Sequence, residues 1–292
     1  MDSIIQGQEK FADFFNQFPN SYVLIGGVAC KLYLAHTGVA SRATKDFDVI
    51  LVYDKIAESQ SFSKLFYKFV QDAGYIIDRT KKNGFQHYRF QNAQDKQYPE
   101  QIELLSHADI IMDYIEQSRH MPIPTPEDLS NLSAIVLDED YYRLVQQNHI
   151  KIKELNIASP ECLVVLKAHA WLNNLHEKEK GNHCNTKDIK KHKTDTIRLI
   201  YAIRPATSKI QYPSNTAILK DMLEYFRRIA ADRIEVGHIV NDSTFTKSEC
   251  LSKIKQIFFS NTASIYPEID NSIQKIRIEE ETKAQKKRSK TR

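Results

Sequence analysis

Cysteine is scarce in this sequence. Cys30, Cys162, Cys184 and Cys250 are the only four in 292 residues, and no two stand in a C-x-x-C arrangement. Zinc ribbons and dithiol redox motifs, which need that spacing, are excluded. Cys30 and Cys162 lie among apolar neighbours and are expected as buried, reduced thiols. Cys184 follows His183 in a polar stretch, an adjacency that does not make a metal site. No apolar run reaches the ~18 residues of a membrane-spanning helix, and the opening MDSIIQGQEK lacks signal-peptide character. The expectation is a soluble, cytoplasmic protein with no membrane partner. A dominant charge is missing as well: 41 Lys and Arg against 37 Asp and Glu leave a net charge of +4. What excess there is falls in two places. Residues 178 to 204 hold Lys178, Lys180, Lys187, Lys190, Lys191, Lys193, Arg198 and Arg204, and the stretch from Lys283 holds Lys286, Lys287, Arg288, Lys290 and Arg292. The second run reads as a solvated end.

With 41% apolar residues the chain can bury one large core or two ordinary ones. Its most informative stretch is Ile25 to Val49, IGGVACKLYLAHTGVASRATKDFDV. A glycine pair closes an apolar run, a helix-like segment follows, and Asp46 and Asp48 stand two apart in a second apolar run. Side chains two apart on a strand share a face, so the two carboxylates can hold one hard divalent cation such as magnesium. Gly26 and Gly27, lacking a Cβ, let backbone N–H groups approach phosphate oxygens. Composition alone supplies about four acid-x-acid triplets in such a chain, so the pair needs its context. Asp138-Glu139-Asp140 serves as an internal control: it has no glycine partner and reads as a solvated turn between strands.

The pattern resembles the DNA polymerase β type nucleotidyltransferase superfamily, in which an apolar residue, Gly and Gly or Ser precede, after a spacer, acid, apolar, acid, apolar. Here these are Ile25, Gly26, Gly27 and Asp46, Phe47, Asp48, Val49. The spacer is longer than in the shortest form of that signature. The AbiEii/AbiGii toxin branch is similar in having an Arg-x-Thr element before the acids, matched by Arg42, Ala43 and Thr44. Two downstream stretches resemble its later motifs: Lys167-Ala168-His169-Ala170-Trp171, and Lys187 to Asp195, KDIKKHKTD.

Along the chain, Phe11, Phe14, Phe15 and Phe18 predict a helix over 8–18. A strand at 22–25, a helix at 28–35, a strand at 47–53 and a helix at 61–73 follow, ending at Gly74. Short β-like segments are expected at 75–78, 86–91 and 101–106. In the last of these Glu103 is the nominee for the third carboxylate that the resemblance implies, a metal ligand or activator of the attacking hydroxyl; an exposed strand position is the other reading. Residues 108–118 could be a helix, 121–126 a proline-rich connector, and 134–137, 142–146 and 151–155 strands. Ser159-Pro160-Glu161 then gives an N-cap, a proline at N1 and a first-turn acid, starting a helix that carries Lys167. A second runs from 187 to about 203, stopped by Pro205. Helices over 215–235 and 248–259 are expected as a cap, and the final residues as frayed.

Lys167 interrupts an apolar helix, where a buried ammonium is costly without an anionic partner. A triphosphate would supply one, so would a carboxylate such as Asp195, and snorkelling to solvent is the third possibility. Asp195 is the nominee for fixing Lys167 or the nucleotide, with Asp188 as rival.

The expected fold is thus an α/β (α+β), nucleotidyltransferase-like mixed sheet with flanking helices: a catalytic core over 1–158, a helical portion over 159–270 and a basic, disordered tail over 271–292. The resemblance implies a magnesium-dependent enzyme moving a nucleotidyl group from a nucleoside triphosphate to an acceptor hydroxyl. Asp46, Asp48 and Glu103 would hold metal, Gly26, Gly27, Arg42 and Thr44 would cradle the triphosphate, and Lys167 would neutralise charge. It further implies an RNA acceptor such as a tRNA 3′ end, and a role as toxin beside a cognate antitoxin protein in a type IV-like toxin–antitoxin or phage-defence pair. Transfer to a protein or small-molecule hydroxyl, or silent nucleotide or RNA binding, are the rival readings.

Overall fold

The computed structural model describes residues 5–52, 56–82, 85–106, 138–182, 184–207, 210, 217–260 and 266–290. The expected features within 107–137, the helix at 108–118 included, lie outside the described residues, as does His183. The chain divides into two compact units, Met1–Leu166 and Lys167–Arg292.

Among the described residues, the first unit is built on a mixed seven-stranded sheet of order β3-β4-β5-β2-β1-β7-β6. The strands are β1 Tyr22–Ile25, β2 Asp46–Leu51, β3 Ile76–Lys82, β4 Phe85–Gln91, β5 Gln101–Ser106, β6 His149–Ile152 and β7 Leu155–Ala158. Parallel pairs join β2 to β5 and β1 to β7, and the remaining neighbours are antiparallel. The helices are α1 Gln8–Phe15, α2 Gly26–His36, α3 Ile56–Ala73 and α4 Glu139–Gln147, with α5 Pro160–Glu179 carrying the chain onward.

One face of this sheet is aromatic. Phe11 of α1 stacks on Phe15 at 4.1 Å and reaches Phe47 of β2 at 4.8 Å. Phe66 of α3 meets Phe90 of β4 at 5.3 Å and Phe14 at 5.6 Å. Such ring pairs add about 0.5–1.5 kcal/mol each beyond their buried area, which makes this layer the main anchor of α1 and α3. The register then dictates the other face. Phe47, Ile102 and Phe90 are neighbours across β2, β5 and β4; because strand side chains alternate, Asp46, Asp48, Glu103 and Arg89 fall on the opposite face.

Two expectations are corrected here. Residues 142–146 are not a strand but part of α4, because Asp138 caps it: its side chain accepts from the Asp140 N–H at 2.9 Å. Asp138-Glu139-Asp140 is therefore a helix start, where carboxylates meet the positive end of the helix dipole, and not a turn between strands. Tyr141, Tyr142, Leu144 and Val145 are buried at helical spacing. The strand expected at 151–155 is split into β6 and β7 by a tight turn at Lys153 and Glu154, whose φ values are 47° and 65°.

The second unit is helical. It contains the remainder of α5, α6 Thr186–Ala202, a 3-10 turn at Pro205–Thr207, α7 Ala217–Ala231, α8 Val236–Val240, α9 Lys247–Phe258 and α10 Pro267–Lys290. Ser159 Oγ accepts from the Cys162 N–H at the start of α5, as the Ser-Pro-Glu signal requires. Asn185 caps α6, and Thr246 with Glu249 forms a capping box on α9. Met222, Tyr225, Phe226 and Ile229 of α7 are buried, as are Leu251 and Ile254 of α9. Of the segment expected to be disordered over 271–292, residues 291 and 292 lie outside the described residues, and 271–290 belong to α10. Pro267 opens it at a position that needs no N–H, and Ile269 and Ile273 are buried, which fixes its first turns. Cys30, Cys162 and Cys250 are buried thiols and Cys184 is half-buried. Among the described residues no helix is long and apolar enough to cross a membrane.

Candidate functional site

Strand β1 ends at Ile25 and α2 begins at once with Gly26. Ile25 occupies the cap position and has no side-chain oxygen for the first N–H groups of α2, so that helix start presents backbone donors and the positive end of a dipole. Gly26 has φ +72°, and a Cβ there would overlap the Asp48 carboxylate. Gly27 stands against the Arg-x-Thr element: a Cβ would overlap Thr44 Oγ1 and lie 3.0 Å from Arg42 Nη2. The glycine pair is therefore the surface on which Asp48, Thr44 and Arg42 converge, and any larger residue would push them away.

The strand register supplies the rest. Ile25 opposes Asp48, and Asp48 opposes Glu103 on the parallel neighbour β5. Glu103 opposes Arg89 on β4. A row of Asp48, Glu103 and Arg89 thus crosses three strands on the face away from the aromatic core, with Asp46 one pleat along β2. Asp48 is 8% and Glu103 3% exposed. Carboxylates this dry need compensation; Glu103 accepts from Arg89 Nε at 3.3 Å and Gln101 Nε2 at 3.1 Å. At the entry to β2 and β5, Lys45 and Glu100 pair, which holds the Glu100 carboxyl below its ordinary range and raises Lys45.

Among the described residues no three His, Cys, Asp or Glu side chains gather as a ready metal-ligand set. The donor chemistry is nonetheless that of a hard cation. Magnesium is commonly held by one or two carboxylates with waters and substrate phosphates completing its shell, and Asp46 and Asp48 on one strand face, beside a glycine cradle, match that requirement. Arg89 and Gln101 went unnoticed in the sequence. The alternation Gln101-x-Glu103 on β5 and Arg89 one residue before the core Phe90 were the available signals, but they needed the strand pairing to acquire meaning.

The helical unit holds the other nominated residues. Lys167 is 1% exposed, and its Nζ donates to Asp195 Oδ2 at 2.9 Å. Arg198, one turn further on α6, brings Nη1 to 3.8 Å from Asp195 Oδ1. Lys167 therefore does not snorkel; its anionic partner in the structure is Asp195. Asp188 instead pairs with Lys191 at 3.0 Å on the half-exposed side of α6. His169 Nδ1 lies 2.7 Å from Asp221 Oδ2 of α7, a partner that no local pattern announced.

No family model matches the sequence, and no curated protein does. Likenesses among solved structures include two nucleotidyltransferase-type proteins. One is an antigenic nucleotidyltransferase-like protein from Paracoccidioides brasiliensis, at 11% identity over 77% of this chain and 90% of that one, with a TM-score of 0.37. The other is a cytoplasmic RNA terminal U-transferase, at 12% identity over 83% and 73% of the two chains, with a TM-score of 0.28. Likenesses at this level carry no argument about activity.

Proposed function

We propose that this protein is a magnesium-dependent nucleotidyltransferase that moves a nucleotidyl group from a nucleoside triphosphate to an acceptor hydroxyl, with RNA as the acceptor class. The observation that carries the reading is the placement of the Asp48 carboxylate against Gly26 at the start of α2, whose cap residue Ile25 has no side-chain oxygen, with Asp46 on the same strand as Asp48 and Glu103 in register beside it. A phosphate chain needs backbone donors, cationic side chains and a carboxylate-held cation in one place, and Gly26, Gly27, Arg42, Thr44, Asp46 and Asp48 bring these together.

In the proposed step the acceptor oxygen forms a bond to the α-phosphorus of the triphosphate, the bond from that phosphorus to the bridging oxygen breaks, and pyrophosphate departs. The hydroxyl proton passes to a carboxylate of the site. Magnesium, held by Asp46 and Asp48, would supply charge neutralisation and acidify the attacking hydroxyl. The N–H groups at the start of α2 and the Thr44 hydroxyl donate to phosphate oxygens, and the Arg42 guanidinium offsets their charge. Glu103, now paired with Arg89, would be the third carboxylate available to the metal. Lys167 enters as a positioning residue: sealed with Asp195, it holds α5 to α6 and leaves phosphate contact to Arg42. The acceptor's being a tRNA 3′ end, and an antitoxin partner protein, are proposals resting on the motif resemblance.

Purified protein incubated with each labelled triphosphate, magnesium and total cellular RNA should transfer label to RNA, and one gel would identify donor and acceptor. Asp48→Asn should lower transfer by about 10²-fold or more while leaving the fold intact. Transfer retained by that variant would remove this carboxylate from the chemistry, and label appearing on protein instead of RNA would move the reading to a protein acceptor.

A further inference from the structure

The helical unit contains a groove of about 900 Å³, lined by the end of α7, by α8, by the start of α9 and by one side of α10. Its lining is electrically mixed: Asp232, Glu235, Glu279 and Glu280 face Arg227, Arg233, Lys247, Lys275 and Lys283. Asp232 pairs with Lys193 at 2.7 Å, Glu235 with His238 at 3.0 Å, and Glu280 accepts the Lys247 N–H at 2.9 Å. Arg233, Lys275 and Lys283 line the same groove, are exposed, and have no ion-pair partner among the described residues. The groove itself is thus close to charge balance, and its positive end is at Lys283, where the basic turns of α10 begin.

A positive excess lies past that edge. Residues 283–292, KAQKKRSKTR, hold six of the chain's 41 basic residues and none of its 37 acids, leaving 35 against 37 elsewhere. The whole positive net charge of the protein thus resides on this one stretch. From Lys283 to Lys290 α10 rises by about 10 Å at ~1.5 Å per residue, so its basic positions are spread along the helix and not gathered at one point. From Glu279 onward α10 offers no Val, Leu, Ile, Phe, Tyr or Trp. An amphipathic helix that lies in a membrane surface needs such residues on one side, so a lipid surface does not fit. A flexible polyanion with regularly spaced charges does.

We propose that this groove and the basic turns of α10 are a docking surface for the phosphate backbone of single-stranded RNA. The choice of RNA over DNA rests on the proposed acceptor; the surface itself does not depend on the sheet site or on any chemistry there. Its role would be to hold the body of the acceptor RNA.

The test is fluorescence anisotropy of a labelled oligoribonucleotide with full-length protein, without magnesium or triphosphate, so that binding is read apart from transfer. Wild type should bind with an affinity that falls linearly with salt on logarithmic axes. The variant R233Q/K275Q/K283Q/K286Q/K287Q should bind about tenfold or more weakly at ~50 mM salt, with each lost phosphate contact flattening the slope by about 0.7. The arginine-for-lysine variant K275R/K283R/K286R/K287R should retain binding, and removing five exposed lysines of the first unit, Lys64, Lys68, Lys96, Lys151 and Lys153, should matter far less. Should the glutamine variant not fold, a chain ending at Thr282 gives the same comparison. Equal affinity of wild type and variant, no binding at ~50 mM salt, or capture of anionic vesicles in place of RNA would overturn the proposal. Binding that survives these tests alongside absent nucleotidyl transfer would leave the docking surface standing and refute only the enzymatic reading.

Discussion

Replacing Lys167 with alanine should destabilise the helical unit by about 3–5 kcal/mol, because it strands a buried carboxylate. Two unit charges at the observed 2.9 Å attract by about 6 kcal/mol at an effective dielectric of ~20. Much of that attraction is offset by the cost of drying both ions, so the pair is nearly neutral as a whole and costly only when broken. Arg198, 3.8 Å from Asp195, can take up part of the released charge and should pull the loss toward the lower end of the range. Removing both charges with Lys167→Met and Asp195→Leu should restore stability to near that of the wild type or above. Urea unfolding followed by tryptophan emission is the assay. Trp171 is the sole tryptophan, lies one turn from Lys167 on α5, and packs edge-on against Tyr225 at 5.6 Å, so its signal reports on this place. A loss below about 1 kcal/mol for Lys167→Ala, or a double variant as unstable as the single, would refute the pairing as the reason a lysine sits in this core.

Four further outcomes follow from the same structure. Gly26→Ala should abolish nucleotidyl transfer, because its methyl group needs the space of the Asp48 carboxylate and its φ of +72° disfavours any side chain; an active Gly26→Ala enzyme would show that Asp48 is free to work elsewhere. Arg89→Met should destabilise the sheet unit by about 1–3 kcal/mol by leaving Glu103 without its cation, and Glu103→Gln in that background should recover most of the loss in a denaturant titration. In a thiol-reagent time course Cys184 should react first and alone, with Cys30, Cys162 and Cys250 released only on unfolding. Burial also pushes the Cys250 thiol up to about 12 from its usual 9. The folded chain then keeps a proton that the unfolded chain gives up, so its stability is full below pH 9 and falls between about 9 and 12 by up to ~1.4 kcal/mol per unit; Cys250→Ala should flatten that part of the stability–pH profile.

The order strand, helix, strand, helix around the glycine pair was legible because each element states itself locally. Alternation placed Phe47 against Asp46 and Asp48, four phenylalanines marked the first helix, and Ser159, Pro160 and Glu161 marked the start of α5. Residues 138–147 misled because three acids before two tyrosines suit a turn as well as a cap; only the Asp138 side chain bonding the Asp140 N–H separates the two. The end of the chain misled for the opposite reason. Its charge reads as disorder, yet two isoleucines at the start of α10 find buried positions that composition does not announce.

Sequence by itself determined which groups could meet a phosphate chain: spacing put two carboxylates on one strand face, and the missing side chains of Gly26 and Gly27 left room beside them. Tertiary structure alone decided who neutralises whom. Strand register set Glu103 between Asp48 and Arg89, and helix packing gave Lys167 to Asp195 and left Asp188 to Lys191. Charges choose partners through space at a few ångströms, and residues 14 or 28 positions apart acquire that distance only when the chain has folded.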